Sequence, residues 1–498
     1  MNSLKRTWPL AHPQKRIWLV EKLYGTSSVH HLMACSVKGG ELDPALLEAA
    51  IREFVGSNEG ARLRLSENGP EARQYVSGPE PFAIPFLDFS RETEPGEALE
   101  RWARERSRMP IDPEGDNLFS FYLVRLEERK SGFLFLFHHL IADGWSLVRM
   151  MNAVWLGYEA RTRGIEPAAA KAAPSYLDYL EAERAYLASA RFEKNRAFWL
   201  EEFRELPADM RVRHSSETAG KRRSYLLPAD MSASLKAFAA SNECSVNTLF
   251  VLAAFLYLHL SERRSDLIIG TPVLNRSGKR EKETFGMYTS TMPVRCRIDG
   301  ESALLDQLRS VQDKLTRCYF HQKYPYDLLV RDLELKKKGY DGLFDLCVNY
   351  YNTAMISRVN GDPVETAELY GGNQHYALQI VVKDWREDGS LLVSFDYKVS
   401  EYSEFEIESM WEKLHSLLRT MLTKADARIA DLEIVTPGEK RKLLDDWNRT
   451  EADYSRDACI HWLFEKQAER EPDRIAVRLE DGGAMTYGEL NVAANRLA

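Results

Sequence analysis

Two adjacent histidines, His138 and His139, are the residues whose type and spacing most directly indicate chemistry in this sequence. They follow an apolar run at residues 133–137 and precede Asp143 and Gly144. Side chains alternate along a strand, so we predict that one imidazole faces a reaction channel while the other is packed and hydrogen-bonded inside. Two rings on opposite faces do not chelate one metal ion, and no third ligand at zinc spacing accompanies them.

The short loop after the histidines has the residue types of a rigid turn. A carboxylate at Asp143 can pin the loop by pairing with an arginine, and Gly144 allows close backbone approach to a ligand. Asp143 or Ser146 can also cap the helix that follows. A histidine near its ordinary pKa accepts a proton at pH 7, so one of the two is a candidate general base.

The elements that must position this loop form an α/β pattern. A hairpin is expected from strand-like residues 119–126, a polar turn and the apolar run 133–137, with the second strand buried on both faces. Asp43-Pro44 is a helix start, with a capping carboxylate before proline. The second half predicts the following elements: helices at 249–260, 304–319 and 405–422, strands at 267–270, 344–350, 379–382 and 391–397, and a Gly/Asn/Arg loop after the first strand.

Composition limits the function classes. The 498 residues are 44% hydrophobic and 29% charged, with a formal net charge of −8 and both signs interspersed, which gives no support to a nucleic-acid or anionic-membrane role. The six cysteines are scattered without a C-x-x-C pair, so neither structural zinc nor a disulfide framework is expected. No signal region or 18-residue apolar run occurs, and the expected compartment is cytoplasmic.

The His-His-x-x-x-Asp-Gly spacing at residues 138–144 resembles the signature of condensation domains of nonribosomal peptide synthetases. Chloramphenicol acetyltransferase-like enzymes share the general pattern, so the loop alone indicates the superfamily. The other family motifs follow in order, with departures where Ser57 and Asn58 replace an Arg-His pair. The matching segments are residues 11–18 (AHPQKRIW), 57–65 (SNEGARLRL), 176–179 (YLDY), 285–291 (FGMYTST), 321–327 (HQKYPYD) and Asn352.

The resemblance implies an amide-forming N-acyltransferase in which His139 carries catalysis and Asp143 holds the loop through an ion pair, with His138 structural. We name Arg62 as the partner of Asp143, and the amide of Gly144 as a catalytic group supporting the oxyanion. Asn352 either lines the channel or ends a strand. His139 is either the general base or a positioning hydrogen-bond partner, since a thioester is already activated and much of the rate can come from positioning.

The implied architecture is two chloramphenicol acetyltransferase-like lobes forming a V, with a central tunnel. The first lobe covers residues 1–174 and carries the histidine motif, and the second covers residues 175–436, with a connector at 166–174. Residues 437–498 contain MTYGEL at 485–490, which resembles the opening of an adenylation domain. This last segment is expected to be a linker and the truncated start of that domain, unable to bind ATP.

The resemblance is strongest to starter condensation domains of lipopeptide synthetases. Only eight residues precede the opening segment at residues 9–18 (PLAHPQKRIW), which predicts that no carrier domain is fused upstream. The expected reaction transfers a fatty acyl group from acyl-coenzyme A to an aminoacyl-phosphopantetheinyl carrier. No cofactor or metal is expected on this chain itself, because the phosphopantetheine arm belongs to the downstream peptidyl carrier domain. The adjoining adenylation domain is the other expected partner.

Two alternatives remain open at this stage. The domain can be an elongation enzyme that takes a peptidyl or aminoacyl carrier donor in trans, or a catalytically silent recruitment domain. The intact His139, Asp143 and Gly144 argue against the silent domain. Heterocyclisation is disfavoured because the Asp-x-x-x-x-Asp variant does not replace the double histidine.

Overall fold

The computed structural model describes residues 6–24, 28–66, 71–112, 116–165, 173–212, 216–453, 457–480 and 482–498. The chain divides into two compact units, Met1–Ile434 and Val435–Ala498. Most of the connector predicted at 166–174 lies outside the described residues. The expected change of domain at 436–437 is close to the boundary between the units.

The strands of the first unit form two six-stranded sheets and one small sheet. The strands of both units are β1 (Trp8–Pro9), β2 (His31–Gly39), β3 (Leu63–Ser66), β4 (Arg73–Val76), β5 (Phe86–Asp88), β6 (Phe119–Glu127), β7 (Lys130–His138), β8 (Gly220–Leu227), β9 (Asp266–Val273), β10 (Ser290–Arg297), β11 (Leu346–Tyr351), β12 (Arg358–Val359), β13 (Asp362–Leu369), β14 (Leu378–Lys383), β15 (Leu391–Lys398), β16 (Ile475–Arg478) and β17 (Ala484–Thr486).

Helices lie between groups of these strands. They are α1 (His12–Tyr24), α2 (Pro44–Ser57), α3 (Pro95–Ser107), α4 (Gly144–Thr162), α5 (Tyr176–Leu187), α6 (Ala190–Glu202), α7 (Ala229–Ser241), α8 (Val246–Glu262), α9 (Lys279–Glu283), α10 (Leu304–Phe320), α11 (Tyr326–Asp332), α12 (Glu404–Thr423), α13 (Pro437–Arg441), α14 (Ile460–Arg470) and α15 (Tyr487–Leu497). Short 3-10 turns lie between several of them, and a π-helical turn follows α13.

The first large sheet has the strand order β12-β13-β2-β7-β6-β5. β6 and β7 form the predicted antiparallel hairpin, and β7 is buried along nearly its whole length. Phe133 of this strand packs against Trp155 of α4, whose indole N–H donates to the Ser36 hydroxyl at 2.8 Å. A strand buried on both faces at the centre of a sheet gives the motif that follows it a rigid origin.

The second large sheet has the order β10-β9-β11-β14-β15-β8, with β11 parallel to both β9 and β14. The helices and strands predicted in this half are present, each with ends within three residues of the expected bounds. Helix α8 lies in the core of this half, with residues from Val246 to Leu256 buried. Its sequence is apolar on every side, which is typical of a helix enclosed by protein.

The two halves of the sequence interlock. Strand β13 comes from the second half yet pairs along β2 in the first sheet. Phe285, Met287 and Tyr288, from the loop before β10, belong to the hydrophobic core of the first half. Residues that are more than 200 positions apart are therefore held together by packing, and the histidine loop lies where they meet.

Local signals explain where the key helices begin. Asp43 caps α2 by accepting hydrogen bonds from the amides of Ala45 and Leu46, as the Asp-Pro pattern predicts. Asp143 caps α4 through the amide of Ser146, which settles the choice between the two candidate caps. Each cap supplies an acceptor to amides that have no partner inside their helix.

The second unit contains α13, α14, α15 and the antiparallel pair of β16 and β17. Gly482 lies between these two strands, and its φ of +89° suits glycine, while Asp481 lies outside the described residues. Within the described part of the chain, no single helix is long and apolar enough to cross a membrane. The pair of α7 and α8 passes that test only jointly and is bent by 99°.

Candidate active site

His138 is the last residue of β7 and is buried. Its Nε2 lies 2.8 Å from the carboxylate of Glu21, and its Nδ1 accepts a hydrogen bond from the amide of Leu140 at 3.1 Å. Because an amide can only donate, Nδ1 carries no proton, and Nε2–H donates to Glu21. His138 is thus the packed, hydrogen-bonded member of the pair, as the alternation of the strand predicts.

His139 points to the other side and lines a cavity of about 420 Å³. Its backbone N–H donates to the carbonyl of His30 at 2.8 Å, which fixes the main chain beyond the strand. Its Nδ1 lies 2.7 Å from the carbonyl oxygen of Ala142. Since a carbonyl only accepts, Nδ1 is protonated and Nε2 has a free lone pair, so the two neighbouring histidines hold opposite tautomers.

The charge state of His139 differs from the sequence-based expectation. Burial and the nearby His30 lower its pKa to about 4, although the Asp143 carboxylate acts in the opposite direction. The expectation of a near-ordinary pKa is therefore wrong. The ring is fully neutral at pH 7 and able to accept a proton, but it is a weaker base than imidazole in water.

Asp143 is completely buried and is bound by a guanidinium from the other half of the sequence. Arg276 donates to both carboxylate oxygens, at 2.6 and 3.0 Å. The carboxylate also accepts from the amides of Ser146, Tyr288 and Thr289 and from the Thr289 hydroxyl, at 2.9–3.1 Å. Burial alone would raise the pKa of Asp143, but Arg276 and these donors outweigh it and hold the pKa below its ordinary value.

Arg62 is not the partner of Asp143, and that prediction was wrong. Its guanidinium donates to the carbonyls of Val55 and Gly56 at the end of α2 and to the carbonyl of Ser77. The terminal carbonyls of a helix carry partial negative charge and lack intrahelical donors, so they attract this nearby cation. Arg62 therefore stabilises the end of α2, away from the histidine loop.

Sequence reasoning missed Arg276. It lies in the Gly/Asn/Arg loop after β9, which the sequence marks as a turn, and 133 residues separate it from Asp143. Only the fold brings them together. The available signal was an arginine in a turn directly after a buried strand of the second half, where a guanidinium can reach the neighbouring lobe.

The loop before β10 closes around this ion pair. Arg276 also donates to the Ser146 hydroxyl at 2.8 Å and to the Gly286 carbonyl at 3.0 Å. A Cβ at Gly286 would lie 2.1 Å from the ring of Tyr176, so only glycine fits there. The Tyr176 hydroxyl donates to the carbonyl of Met287 at 2.6 Å. Two separate sequence motifs, YLDY and FGMYTST, thus support the same loop.

Asn352 follows Tyr351, the last residue of β11, and lines the same cavity as His139. Both interpretations of Asn352 therefore describe its position. Gly144 also lines this cavity, as the first residue of α4. The roles assigned to His139, Gly144 and Asn352 in the reaction remain predictions.

The HQKYPYD segment contributes to the cavity through its second part. His321 stays within its own half, with Nδ1 2.9 Å from the Asn195 side chain and its ring stacked on Phe198. Asp327 lines the cavity and pairs with Nδ1 of His12 at 2.8 Å. The AHPQKRIW and HQKYPYD segments are therefore joined across the cavity wall.

A group of paired charges on the cavity wall was not predicted. Arg222 binds Asp396 through two hydrogen bonds and Glu368 at 2.9 Å, and Lys383 binds Glu368 at 2.5 Å. Burial disfavours ionisation of Glu368, but the two cations outweigh it and hold its pKa far below the ordinary value. The four residues lie on β8, β13, β14 and β15, so this cluster ties the two large sheets together.

Among the described residues, no group of three or more histidine, cysteine, aspartate and glutamate side chains is arranged to hold a metal ion. The cysteines are free thiols, and burial raises the pKa of Cys347 to about 12. A thiol with this pKa is inert at pH 7.

The condensation domain family model matches residues 5–444. Two relatives from Bacillus subtilis (strain 168) belong to the plipastatin and surfactin synthases. The plipastatin synthase chain is 30% identical over 501 residues, and the surfactin synthase chain is 31% identical over 499 residues. Each alignment covers 99% of this chain but only 19% and 14% of the respective relative. The chain thus spans less than a fifth of their length.

Solved structures share the fold. A mutant of the starter condensation domain of rhizomide synthetase, solved with C8-CoA, has a TM-score of 0.78 at 22% identity, covering 86% of this chain and 97% of that one. The first condensation domain of the calcium-dependent antibiotic synthetase, solved with a substrate analogue, has a TM-score of 0.78 at 21% identity, covering 86% and 99%. These likenesses establish the two-sheet α/β architecture.

The match with the family covers both large sheets and the loop that holds His139 and the Asp143–Arg276 pair. The chain belongs to the condensation domain family of nonribosomal peptide synthetases, whose members form amide bonds by acyl transfer.

Proposed function

We propose that this condensation domain transfers a fatty acyl group from acyl-coenzyme A to the amine of an aminoacyl-phosphopantetheinyl carrier protein. The observation that carries the proposal is the apolar part of the cavity beside His139. It is lined by side chains from β2, β7 and α4, most of them buried. They are Leu32, Ala34, Phe135, Leu147, Val148 and Met151.

Such a wall suits an alkyl chain better than a peptide. Three of its members, Leu147, Val148 and Met151, lie on one side of α4 as it leads away from the histidine loop. A peptidyl donor would bring several amide groups against this surface, and each would lack a partner at a cost of a few kcal/mol. A methylene chain gains about 0.8 kcal/mol for each buried group before the costs of ordering.

The comparisons agree with this choice of donor. The rhizomide synthetase domain is a starter condensation domain and was solved with C8-CoA. Its fold is shared with this chain, although its identity of 22% leaves the donor of this chain to experiment. The cavity volume of about 420 Å³ lies in the ordinary range for small-molecule sites.

In the proposed reaction, the side chains of this protein hold the amine and the thioester carbonyl together and move one proton. The amine attacks the carbonyl carbon and becomes a cationic adduct. Nε2 of His139 is the unprotonated nitrogen on the cavity side and accepts the proton of that adduct, which is a far stronger acid than a free amine. The Gly144 amide is proposed to support the oxyanion.

Positioning carries a large part of the rate because the thioester needs no activation. The Asp143–Arg276 pair fixes the loop between His139 and α4, and therefore the place of Nε2 relative to both substrates. The phosphopantetheine arm is supplied by the carrier domain, and we propose that no cofactor is held by this chain itself.

We further propose that Val435–Ala498 is the start of an adjoining adenylation domain. The MTYGEL segment forms β17 and the first turn of α15, and Thr486 and Glu489 form a capping box there. Apolar side chains of this unit, including Ile460, Trp462 and Ile475, are exposed. Exposed apolar surface on so small a unit suits an element that continues into a larger core.

The test compares donors on a carrier protein loaded with an amino acid. Acyl-coenzyme A substrates from acetyl to palmitoyl are supplied, and transfer is read by intact-protein mass spectrometry. We expect medium and long chains to react at lower concentration than acetyl. If none is transferred while a peptidyl carrier is used, the domain is an elongation enzyme, and if neither reacts, the domain is catalytically silent.

A variant sharpens this test. Met151→Trp should fill the apolar wall and shift the preferred donor towards shorter chains by several carbons. Leu156→Trp on the same helix is the matched control, because Leu156 is 54% exposed and does not line the cavity. An unchanged chain-length profile in Met151→Trp, with a melting temperature like the wild type, would place the acyl chain elsewhere.

A further inference from the structure

We propose that the hydroxyl of Tyr351 is a catalytic hydrogen-bond donor to the oxygen of the donor thioester carbonyl as that oxygen becomes negative. The inference rests on the amide-forming reaction of the family and not on which acyl group is transferred. It assigns a role to a residue that none of the sequence motifs singles out.

The position of Tyr351 follows from the packing of the two halves. It is the last residue of β11 in the second sheet and lines the cavity together with His139 and Gly144. A Cβ placed on Gly144 would lie 3.0 Å from Cε1 and 3.2 Å from the hydroxyl oxygen of Tyr351. The phenol therefore lies against the first residue of α4, five positions after His139.

This contact explains why residue 144 is a glycine. Any side chain at position 144 would press on the phenol ring and move its hydroxyl by a few tenths of an ångström or more. The φ of Gly144 does not lie in the left-handed region, so backbone conformation does not require glycine there. The close approach of Tyr351 is what requires glycine at this position.

The hydroxyl is in the correct state to donate. Burial and the nearby Glu368 carboxylate raise the pKa of Tyr351 far above its ordinary value, while a hydrogen bond from the Asn349 side chain acts in the opposite direction. Asn349 lies two residues earlier on β11 and also lines the cavity, so both side chains share one face of the strand. A phenol with a raised pKa keeps its proton at neutral pH and can donate it to an acceptor in the cavity.

The backbone holds the phenol rigidly. The carbonyl of Tyr351 accepts a hydrogen bond from the amide of Asp384 at 2.8 Å, and its ring packs at 6.0 Å from the ring of Trp385. Donors that are fixed before the reaction stabilise developing charge without reorganising during it.

The step balances without any further reactant. The amine nitrogen forms a bond to the carbonyl carbon, and the carbonyl π electrons move to the oxygen, which accepts a hydrogen bond from Tyr351. His139 Nε2 takes a proton from the ammonium nitrogen. When the tetrahedral adduct collapses, the carbon–sulfur bond breaks, and the thiolate receives the proton from His139. Tyr351 keeps its proton throughout.

The first experiment removes the hydroxyl alone. In Tyr351→Phe, single-turnover amide formation with a donor that the wild type accepts should slow by about 10²-fold, with little change in KM. Tyr225→Phe is the matched control, because Tyr225 is stacked on Trp411, its hydroxyl has no hydrogen-bond partner within the described structure, and it does not line the cavity. Both variants should melt like the wild type.

A second experiment grades the donor strength. Fluorotyrosine incorporated at position 351 keeps the packing and makes the phenol more acidic, so amide formation should be as fast as or faster than wild type near pH 7. A wild-type rate for Tyr351→Phe, or a loss that lies entirely in KM, overturns the proposal. So does a fluorotyrosine protein that reacts as slowly as Tyr351→Phe.

Discussion

His139 and Asp143 stand four residues apart in one loop, and the structure treats them in opposite ways. Asp143 is fully buried, and both of its oxygens are occupied by Arg276 and by backbone and hydroxyl donors. His139 is half-buried and lines the cavity, with Nδ1 bound to the carbonyl of Ala142 and Nε2 left as a free acceptor.

The difference separates a structural group from a reacting one. A buried carboxylate with every lone pair matched stabilises one loop conformation, and nothing remains for a substrate. An imidazole fixed through one nitrogen keeps the other for chemistry at a defined position. Replacing Asp143 should therefore lower the stability of the fold, and replacing His139 should lower the rate of amide formation.

The largest expected effect is on rate, in His139→Ala. Loss of the proton acceptor should slow amide formation by about 10²–10⁴-fold, which is typical of an absent general base. The melting temperature should stay near that of the wild type, since the ring makes one side-chain hydrogen bond to the loop. Single-turnover rates and thermal melts measure both quantities. Wild-type turnover would show that His139 is not required and that positioning alone carries the reaction.

The next effect is on stability, in Arg276→Ala and Asp143→Ala. Each substitution leaves an unpaired charge in a fully buried site, so each should cost on the order of 3–5 kcal/mol of unfolding free energy. The double variant should cost less than the sum of the two, which is the mark of a shared interaction. Chemical denaturation of the wild type, the two single variants and the double variant measures the coupling energy between Asp143 and Arg276.

Arg62→Ala is the control for this pair. It removes hydrogen bonds to carbonyls at the end of α2 and should cost only about 1 kcal/mol, with no coupling to Asp143. A coupling energy between positions 62 and 143 that exceeds the coupling between 276 and 143 would contradict the pairing seen here.

A smaller effect on folding stability is expected when the pH is lowered. Burial lowers the pKa of His31 and of His139 to about 4, and lowers the pKa of His30 and His375 as well. The unfolded chain binds these protons near pH 6.5, so stability is complete above that pH and is lost as the pH falls towards 4. For His31 and His139 the cost should be on the order of 1 kcal/mol each at pH 5.5.

Melting temperatures measured from pH 7 to pH 5 test this directly. His139→Ala should show a weaker pH dependence than the wild type, because one buried neutral histidine is gone. Asp143 does not contribute in this window, since its pKa is held below an already low value. A pH profile of His139→Ala identical to that of the wild type would show that this ring is not held neutral.

The sequence was sufficient wherever the signal was local. The cap at Asp43, the hairpin before His138 and the opposite directions of the two imidazoles all follow from neighbouring residues. The partner of Asp143 could not be predicted in this way, because a choice between Arg62 and Arg276 depends on how distant loops meet. The same holds for the addition of β13 to the first sheet and for the charge cluster around Glu368.

The lowered pKa of His139 could not be predicted from the sequence either. Burial at this position comes from segments of both halves, and the nearby ring of His30 is 109 positions away along the chain. Desolvation is a property of the assembled cavity, so a motif indicates which residue titrates without indicating at which pH it does so.

The smallest expected effect concerns Asn352, whose place at the end of β11 suits either a channel contact or a strand end. If its amide touches a bound substrate, Asn352→Ala loses one neutral hydrogen bond of about 1 kcal/mol, and KM or the single-turnover rate changes by about fivefold. Asn152→Ala provides the contrast, because Asn152 does not line the cavity and instead joins α4 to the Ala354 carbonyl at 3.0 Å and the Ile356 amide at 2.9 Å. Asn152→Ala should lower the melting temperature and leave KM unchanged. If Asn352→Ala behaves in the same way as Asn152→Ala, its role is to end the strand, and the substrate contacts on this side of the cavity belong to Tyr351 and its neighbours.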